Sequence, residues 1–362
     1  MTETKSGKVA LRPRTAKPVL PEVPAKKVGS YFTNVQKEGI DFFSSGCTLL
    51  DCVLGGGWPL GRISNIVGDK SSGKTLMAIE ACMNFIQAFP DGKIYYQESE
   101  AAFDQDYAAA LGMPIQAIEF IERTDNSVEH FFEQLERVTA VHTATKMPGL
   151  YILDSLDALT DRAEIERDIN AGTYAMGKQK KMSEMFRRKA GELETTNIHL
   201  MIISQIRDKI GVTFGATKTR SGGKALDFYA SQVIWLSEKK KHKRTIQKIE
   251  RITGIEVKAS CKKNKVGLPY RDCDYPIYFG YGIDDIIANL AFLAKTEFWG
   301  LLTELTDSNA KSADTKTINA LARKIKSMPK HERSDSRALI NESVVVAWQE
   351  IEERFMPETS KY

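Results

Sequence analysis

The chain has 362 residues, 42% hydrophobic and 27% charged, with 51 Lys+Arg against 47 Asp+Glu for a formal net charge of +4, enough apolar content for one large or two ordinary domains. A mean hydropathy of −0.32 and a longest apolar stretch of Ile286 to Ala294, broken by Asn289, exclude a membrane-spanning helix, which needs about 20 apolar residues. Cys47, Cys52, Cys82, Cys261 and Cys273 form neither CxxC pairs nor an even framework, which points to reduced thiols in a soluble, cytoplasmic protein.

In chain order, residues 1–39 read as a basic, Pro-rich arm, partly disordered, and as a segment for polymerisation. Its first 29 residues hold Pro13, Pro18, Pro21 and Pro24 with seven basic residues against two acidic, and MTETKSGKVALRPR has no apolar core behind its charges, so no secretory signal is expected. A globular pattern begins near residue 40. Short β-rich runs recur at RISNIV (62–67), KIYYQ (93–97), IEFI (118–121), LYIL (150–153), HLMIIS (199–204) and QVIWL (232–236). Helical patterns lie between most of them, at 75–89, 127–144 and 177–194. Strand, helix and parallel strand in succession predict an α/β fold, a mostly parallel central sheet covered on both faces. The boundaries read as an ATPase-type core over 40–283 and a small helical C-terminal domain over 284–362. From Lys239 to Arg271, twelve basic residues face two acidic ones, a local excess suited to a polyanion or to a solvated face.

Gly68-Asp69-Lys70-Ser71-Ser72-Gly73-Lys74-Thr75 fits G-x-x-x-x-G-K-[ST], after a strand and at the start of a helix. The glycines let backbone N–H groups turn toward phosphate oxygens, and the helix N-terminus adds partial positive charge. Lys74 is placed for the β and γ phosphates and Thr75 for Mg²⁺. Such a loop needs an acid for the metal's water shell, and Asp154 ends the buried run LYIL; Ser155 and Asp157 follow it. Hydrolysis needs a group to polarise water. Glu98 and Glu100 both leave the run KIYYQ at the strand edge where α/β ligand sites lie, and alternation does not separate them.

With these pieces stand further blocks: SSGCTLLDCVLGGGWPLGRI (44–63), E-x-x-x-D-x-x-Y-A-x-x-L-G from Glu100 to Gly112, LDSLDAL (153–159), QIRDKIGVTFG (205–215), SGGKALDFYAS (221–231) and KKNKVGLPY (262–270). Together they resemble the RecA-type recombinase ATPases, from about Ser44 to Ile283. The resemblance implies a RecA-like P-loop core, ATP and Mg²⁺ as cofactors, and a DNA-dependent ATPase that forms helical filaments on single-stranded DNA and exchanges strands with homologous duplex DNA. It also implies a single-strand-binding protein or loader as a partner and no membrane. A filament scaffold without hydrolysis and a ring-forming helicase motor are the alternatives.

Residue by residue, the resemblance puts Glu100 at the catalytic glutamate, Asp104 and Tyr107 at the adenine contacts, and Asp154 with Thr75 at the metal. Gln205 falls on the γ-phosphate sensor that opens the second DNA-binding loop, about Ile206 to Lys224. There Arg207 and Lys209 would neutralise phosphates, Ile210 would wedge between bases, and Gly222 and Gly223 would lend mobility. The first DNA-binding loop would run from Asp161 to about Lys181, with Lys178, Lys180 and Arg187 toward phosphates and Met176 read as core. Lys263 and Lys265 align with the pair that reaches the ATP of a neighbouring subunit.

Three departures stand out. The family's N-terminal docking helix and strand are unrecognisable in the arm, Asp227 stands where a basic residue is common, and Lys239-Lys240-Lys241-His242-Lys243-Arg244 reads as an extra basic hairpin, either a duplex contact or a solvated turn. The end MPETSKY lacks an acidic tail, so self-inhibition by one is not expected. This mixture fits a divergent relative, such as one encoded by a phage.

Overall fold

The computed structural model describes residues 40–101, 103–166, 176–208, 218–220, 223–306 and 308–358; the N-terminal arm lies outside them. A small antiparallel ribbon (β1, Phe42–Phe43; β2, Trp58–Pro59) brackets helix α1 (Thr48–Leu54). The β–α succession follows: β3 (Ile63–Gly68), α2 (Lys74–Ala88), β4 (Lys93–Glu98), α3 (Gln105–Ala110), β5 (Ile118–Phe120), α4 (Val128–Thr145), β6 (Gly149–Asp154), α5 (Arg162–Ile165), α6 (Met176–Thr196) and β7 (Ile198–Asp208). Then come β8 (Lys218–Arg220), α7 (Gly223–Tyr229), β9 (Gln232–Ile246), β10 (Ile249–Asn264), β11 (Arg271–Tyr278) and β12 (Gly282–Ile283). Helices α8 (Asp285–Lys295), α9 (Thr303–Thr306), α10 (Thr315–Ser327) and α11 (Lys330–Arg354) close the chain.

Each of the six apolar runs becomes a strand of one sheet, ordered β12-β11-β10-β9-β3-β7-β6-β4-β5, with β8 paired to β7. From β9 to β5 the neighbours are parallel, and β10 to β12 extend the sheet antiparallel. Side chains alternate between faces along each strand. Tyr96, Ile152, Met201 and Ile203 face α1, α2 and the C-terminal helices, whereas Tyr95, Tyr151, Leu200 and Ile202 face α4 and α6. Both faces are covered, which is why the strands read as continuous apolar runs.

The C-terminal helices share the first of these cores through Leu290, Leu293, Ile325 and Val344. Asp285 accepts bonds from the Thr48 N–H at 2.7 Å and hydroxyl at 3.0 Å, and Arg271 on β11 pairs with Glu352 on α11 at 2.6 Å. The parallel strands therefore stand on a braced platform, and their C-terminal ends form one edge.

The basic run forms the distal half of β9. There β9 and β10 pair only with each other, since β11 stops at the Gly254↔Tyr278 pair. Residues 243–252 project as an exposed two-stranded ribbon.

Candidate nucleotide site and nucleic-acid surfaces

Strand order decides what meets at the edge. Gly68 ends β3 beside Gln205 of β7, β7 adjoins β6, and Asp154 at the end of β6 is level with Glu98 at the end of β4. The loop of residues 69–72 sits between β3 and α2, with Ser71 at φ 60° and Gly73 at φ 90°. A Cβ at Gly68 would collide with Ser72 Oγ, and one at Gly73 would lie 2.6 Å from Ile277 Cδ1 of β11. Glycine is thus favoured at Gly68 by close approach, which includes the Leu236 carbonyl at 3.0 Å, and at Gly73 by a left-handed backbone.

Within the loop, Ser72 Oγ donates to the Asp69 carbonyl at 2.8 Å and Lys74 Nζ donates to the same oxygen at 2.7 Å. Burial lowers the Lys74 pKa, opposed by the charges of Asp154, Glu100, Asp157 and Asp69. On the first turn of α2, Thr75 Oγ1 donates to Asp154 Oδ2 at 3.0 Å, and the buried Tyr96 hydroxyl donates to that oxygen at 2.9 Å. Burial pushes Asp154 up to about 6, against the lowering by these two bonds. A cation beside Asp154 would restore its ionised form. Thr75 and Asp154 offer the hard oxygen donors that Mg²⁺ takes together with phosphate oxygens, and the glycine cradle with Lys74 fits a polyphosphate.

Glu100 accepts from Ser155 Oγ and, through Oε1, from Gln205 Nε2 at 2.8 Å. The Gln205 backbone N–H donates to Asp157 Oδ2 at 2.6 Å. Glu98 is turned back on its own chain, accepting the Glu100 N–H at 2.8 Å. Asp104 caps α3 by accepting the Tyr107 N–H at 2.9 Å, and Tyr107 itself is 49% exposed. The edge thus gathers Lys74, Thr75, Asp154, Glu100 and Gln205. Tyr96, Ser155 and Asp157 join them without a sequence motif that marks their roles.

Residues 27–284 match the RecA N-terminal domain family. The chain belongs to the RecA family. It is 36% identical over 272 residues to the Protein RecA of Bacteroides thetaiotaomicron, covering 72% of this chain and 78% of that one. It is 37% identical over 267 residues to the Protein RecA of Thermosynechococcus vestitus, covering 73% and 70%. The matched residues span the P-loop and every strand of the central sheet.

The cations of this RecA-family recombinase are spread more widely. Lys180 and Arg187 are exposed on α6, whereas Lys178 Nζ donates to the carbonyls of Leu156, at 3.0 Å, and Leu159, tying α6 to the turn after Asp154. The backbone of Arg207 lies in β7 and that of Gly223 begins α7; Lys209, Ile210 and Gly222 lie outside the described residues. Lys263 Nζ donates to the carbonyls of Asp227 and, at 2.8 Å, Phe228; Lys265 Nζ lies 3.2 Å from the latter and 5.8 Å from the centre of the exposed Phe228 ring. Lys263 near the end of β10 is level with Val233 and Asn65, so it starts about 10 Å back along the sheet from Gly68 and two strand spacings away, and Lys265 follows past the strand, its N–H donating to the Ser231 carbonyl at 2.9 Å. The pair belongs to the edge opposite its own P-loop.

At the ribbon tip, Arg244 is paired directly with Arg251 and Ile246 with Ile249, the isoleucines 56% and 54% exposed. Like charges opposite each other destabilise an isolated ribbon. Among the described residues no helix is long and apolar enough to cross a membrane.

Proposed function

We propose that this chain is an ATP- and Mg²⁺-dependent homologous recombinase: a DNA-dependent ATPase that assembles into helical filaments on single-stranded DNA and pairs it with a homologous duplex for strand exchange. The carrying observation is the separation of two cationic groups. Lys74 stands in the P-loop among Thr75, Asp154, Glu100 and Gln205, while Lys263 and Lys265 occupy the opposite sheet edge. Such a pair can serve a phosphate site only on a neighbouring copy, and a head-to-tail contact that does not close generates an open helix.

In this reading Thr75 and Asp154 hold Mg²⁺, which neutralises charge on the phosphates. Residues 68–73 and Lys74 bind the polyphosphate, and Asp104 and Tyr107 bind the base. Glu100, with its carboxylate fixed by Ser155 and Gln205, orients the attacking water and takes its proton. The neighbour's Lys263 and Lys265 stabilise charge on the transferring group, as an arginine finger does. Gln205 passes the state of the site to the second loop through the β7–β8 stem. Lys180 and Arg187 on α6 and the second loop are assigned to DNA phosphates, and the β9–β10 ribbon to the duplex, since its width suits a major groove and its isoleucines suit an apolar wedge. A single-strand-binding protein or loader completes the set of partners.

Strand exchange between a single-stranded circle and a homologous linear duplex tests the reading, with Lys74→Ala alongside. Exchange that requires ATP and is lost in the variant is expected; exchange that persists in it would sink the ATP-dependent mechanism.

A further inference from the structure

Asp157 stands at the nucleotide edge, and the proposed chemistry gives its carboxylate no role. After Asp154 the chain is extended at Ser155 (φ −127°, ψ 160°) and then closes a 3-10 turn over Leu156–Ala158, which brings Asp157 back toward the strand ends. At that point β6 and β7 have parted: their pairing stops at Leu153↔Ile202, while β7 continues to Asp208. A strand that outruns its neighbour leaves backbone donors without a ladder acceptor, and a buried donor must find another. The Gln205 N–H finds Asp157 Oδ2 at 2.6 Å. The bond is charge-assisted, so stronger than the ladder bond it replaces.

Its position gives the bond its meaning. Ser155 and Asp157 belong to one turn. Ser155 holds Glu100, Gln205 Nε2 donates to that same carboxylate, and Asp157 holds the backbone of Gln205. A closed ring of contacts thus joins the ends of β4, β6 and β7. Gln205 is gripped twice, by its amide from the side of the nucleotide site and by its N–H from the side of the Asp154 turn. One residue further on, Ile206, Arg207 and Asp208 pair with Arg220, Thr219 and Lys218 of β8, the stem of the second loop. If the amide of Gln205 leaves Glu100 for a phosphate while its N–H stays fixed, the displacement passes into the stem instead of being dissipated as a slip of β7.

We propose that Asp157 is a positioning residue that pins the backbone of Gln205, making that residue the pivot through which nucleotide state reaches the DNA-binding loop. The proposal rests on the reading of Gln205 as the sensor. Asp157→Ala removes the acceptor, whereas Asp157→Asn keeps an oxygen in the same place.

Two measurements on the full chain decide it. The first is amide hydrogen exchange of peptides spanning 203–207 without nucleotide, which does not depend on recombinase activity. Exchange about tenfold faster in Asp157→Ala and near wild type in Asp157→Asn is expected from loss of one hydrogen bond. The second is ATP turnover with single-stranded DNA. Asp157→Ala should lose about tenfold in kcat with KM for ATP within about twofold, and Asp157→Asn should recover to within about threefold of wild type. Unchanged exchange or unchanged turnover in the alanine variant overturns the proposal, as does an asparagine variant as defective as alanine. Should thermal melting show Asp157→Ala unfolded, Asp157→Ser, too short to reach Gln205, carries the same arms. A wild-type protein without DNA-stimulated turnover would instead remove the recombinase reading, and the exchange arm would still decide whether the pin exists.

Discussion

Gln205 Nε2 lies 2.8 Å from Glu100 Oε1, a bond that spans β6 to join the ends of β7 and β4. Because the amide is a donor here, Glu100→Gln can preserve a bond to Gln205 through its own carbonyl oxygen while losing its capacity to take a proton. The variant should lose at least about 10²-fold in phosphate release yet still bind single-stranded DNA in an ATP-dependent way. Gln205→Ala should invert the pattern, weakening the ATP dependence of DNA binding by about tenfold, since it removes one charge-assisted hydrogen bond. Steady-state phosphate release and fluorescence anisotropy, run on both variants, check the pair.

The separation of Lys263 and Lys265 from their own P-loop makes complementation a test. Each of Lys74→Ala and the double variant Lys263→Ala/Lys265→Ala should hydrolyse ATP poorly on DNA. Mixed in equal amounts, they should regain about a quarter of wild-type turnover, because that fraction of head-to-tail interfaces joins an intact P-loop to an intact lysine pair. Loss of both lysines leaves the Asp227 and Phe228 carbonyls to water on an exposed surface, so folding is retained. A mixture no more active than its parts would place all catalytic groups in one chain.

The P-loop was legible because its signal is local: two glycines, a lysine and a threonine at fixed spacing, between a strand and a helix. Asp154 was legible for the same reason, as the end of a buried run. Tyr96 and Asp157 were not, since their partners are 58 and 48 residues away in sequence and become neighbours only through the order β3-β7-β6-β4. Glu98 and Glu100 share parity on an extended chain, but the strand ends at Glu98, and the two carboxylates part, one to a backbone N–H and one to Ser155 and Gln205. Lys178 shows the converse. The resemblance points it toward phosphates, and its amine also ties α6 to two carbonyls of the turn after Asp154. Side-chain type announces chemistry, and packing decides whether that chemistry faces solvent.

At the ribbon tip, Arg244 opposite Arg251 costs stability that a polyanion between them would return. Arg244→Ala/Arg251→Ala should therefore reduce the slope of log K against log salt for duplex DNA by about 2, near 0.9 for each phosphate no longer neutralised. Ile246→Ala/Ile249→Ala should weaken duplex binding with the slope unchanged, because an apolar wedge releases no counterions. Titration of a labelled duplex at several salt concentrations separates the two effects. A slope unmoved by the arginine pair would make the ribbon a solvated turn.

Glu80 of α2 lies where a Cβ at Gly46 would be 2.7 Å from its Oε2 and one at Gly282 would be 3.0 Å from its Oε1. Burial raises its pKa to about 7, with a further rise from Asp285, against lowering by the Ile283 backbone bond and Arg337; burial likewise raises Asp51 to about 6. For an acid whose folded pKa exceeds its unfolded value, the folded state binds the proton more tightly. Its stabilising contribution is complete below the unfolded pKa and is lost as pH rises through the folded one. For Glu80 that window runs from its ordinary 4.5 to about 7. Glu80→Gln keeps a carbonyl oxygen for Ile283 and cannot ionise. Its Tm should exceed that of wild type at pH 8 by about 2 °C, the equivalent of about 1 kcal/mol in a chain of this size, and the gap should close by about pH 5. Thermal melts at both pH values check it, and a gap that is constant or widens toward acid would show that Glu80 is ionised in the folded protein.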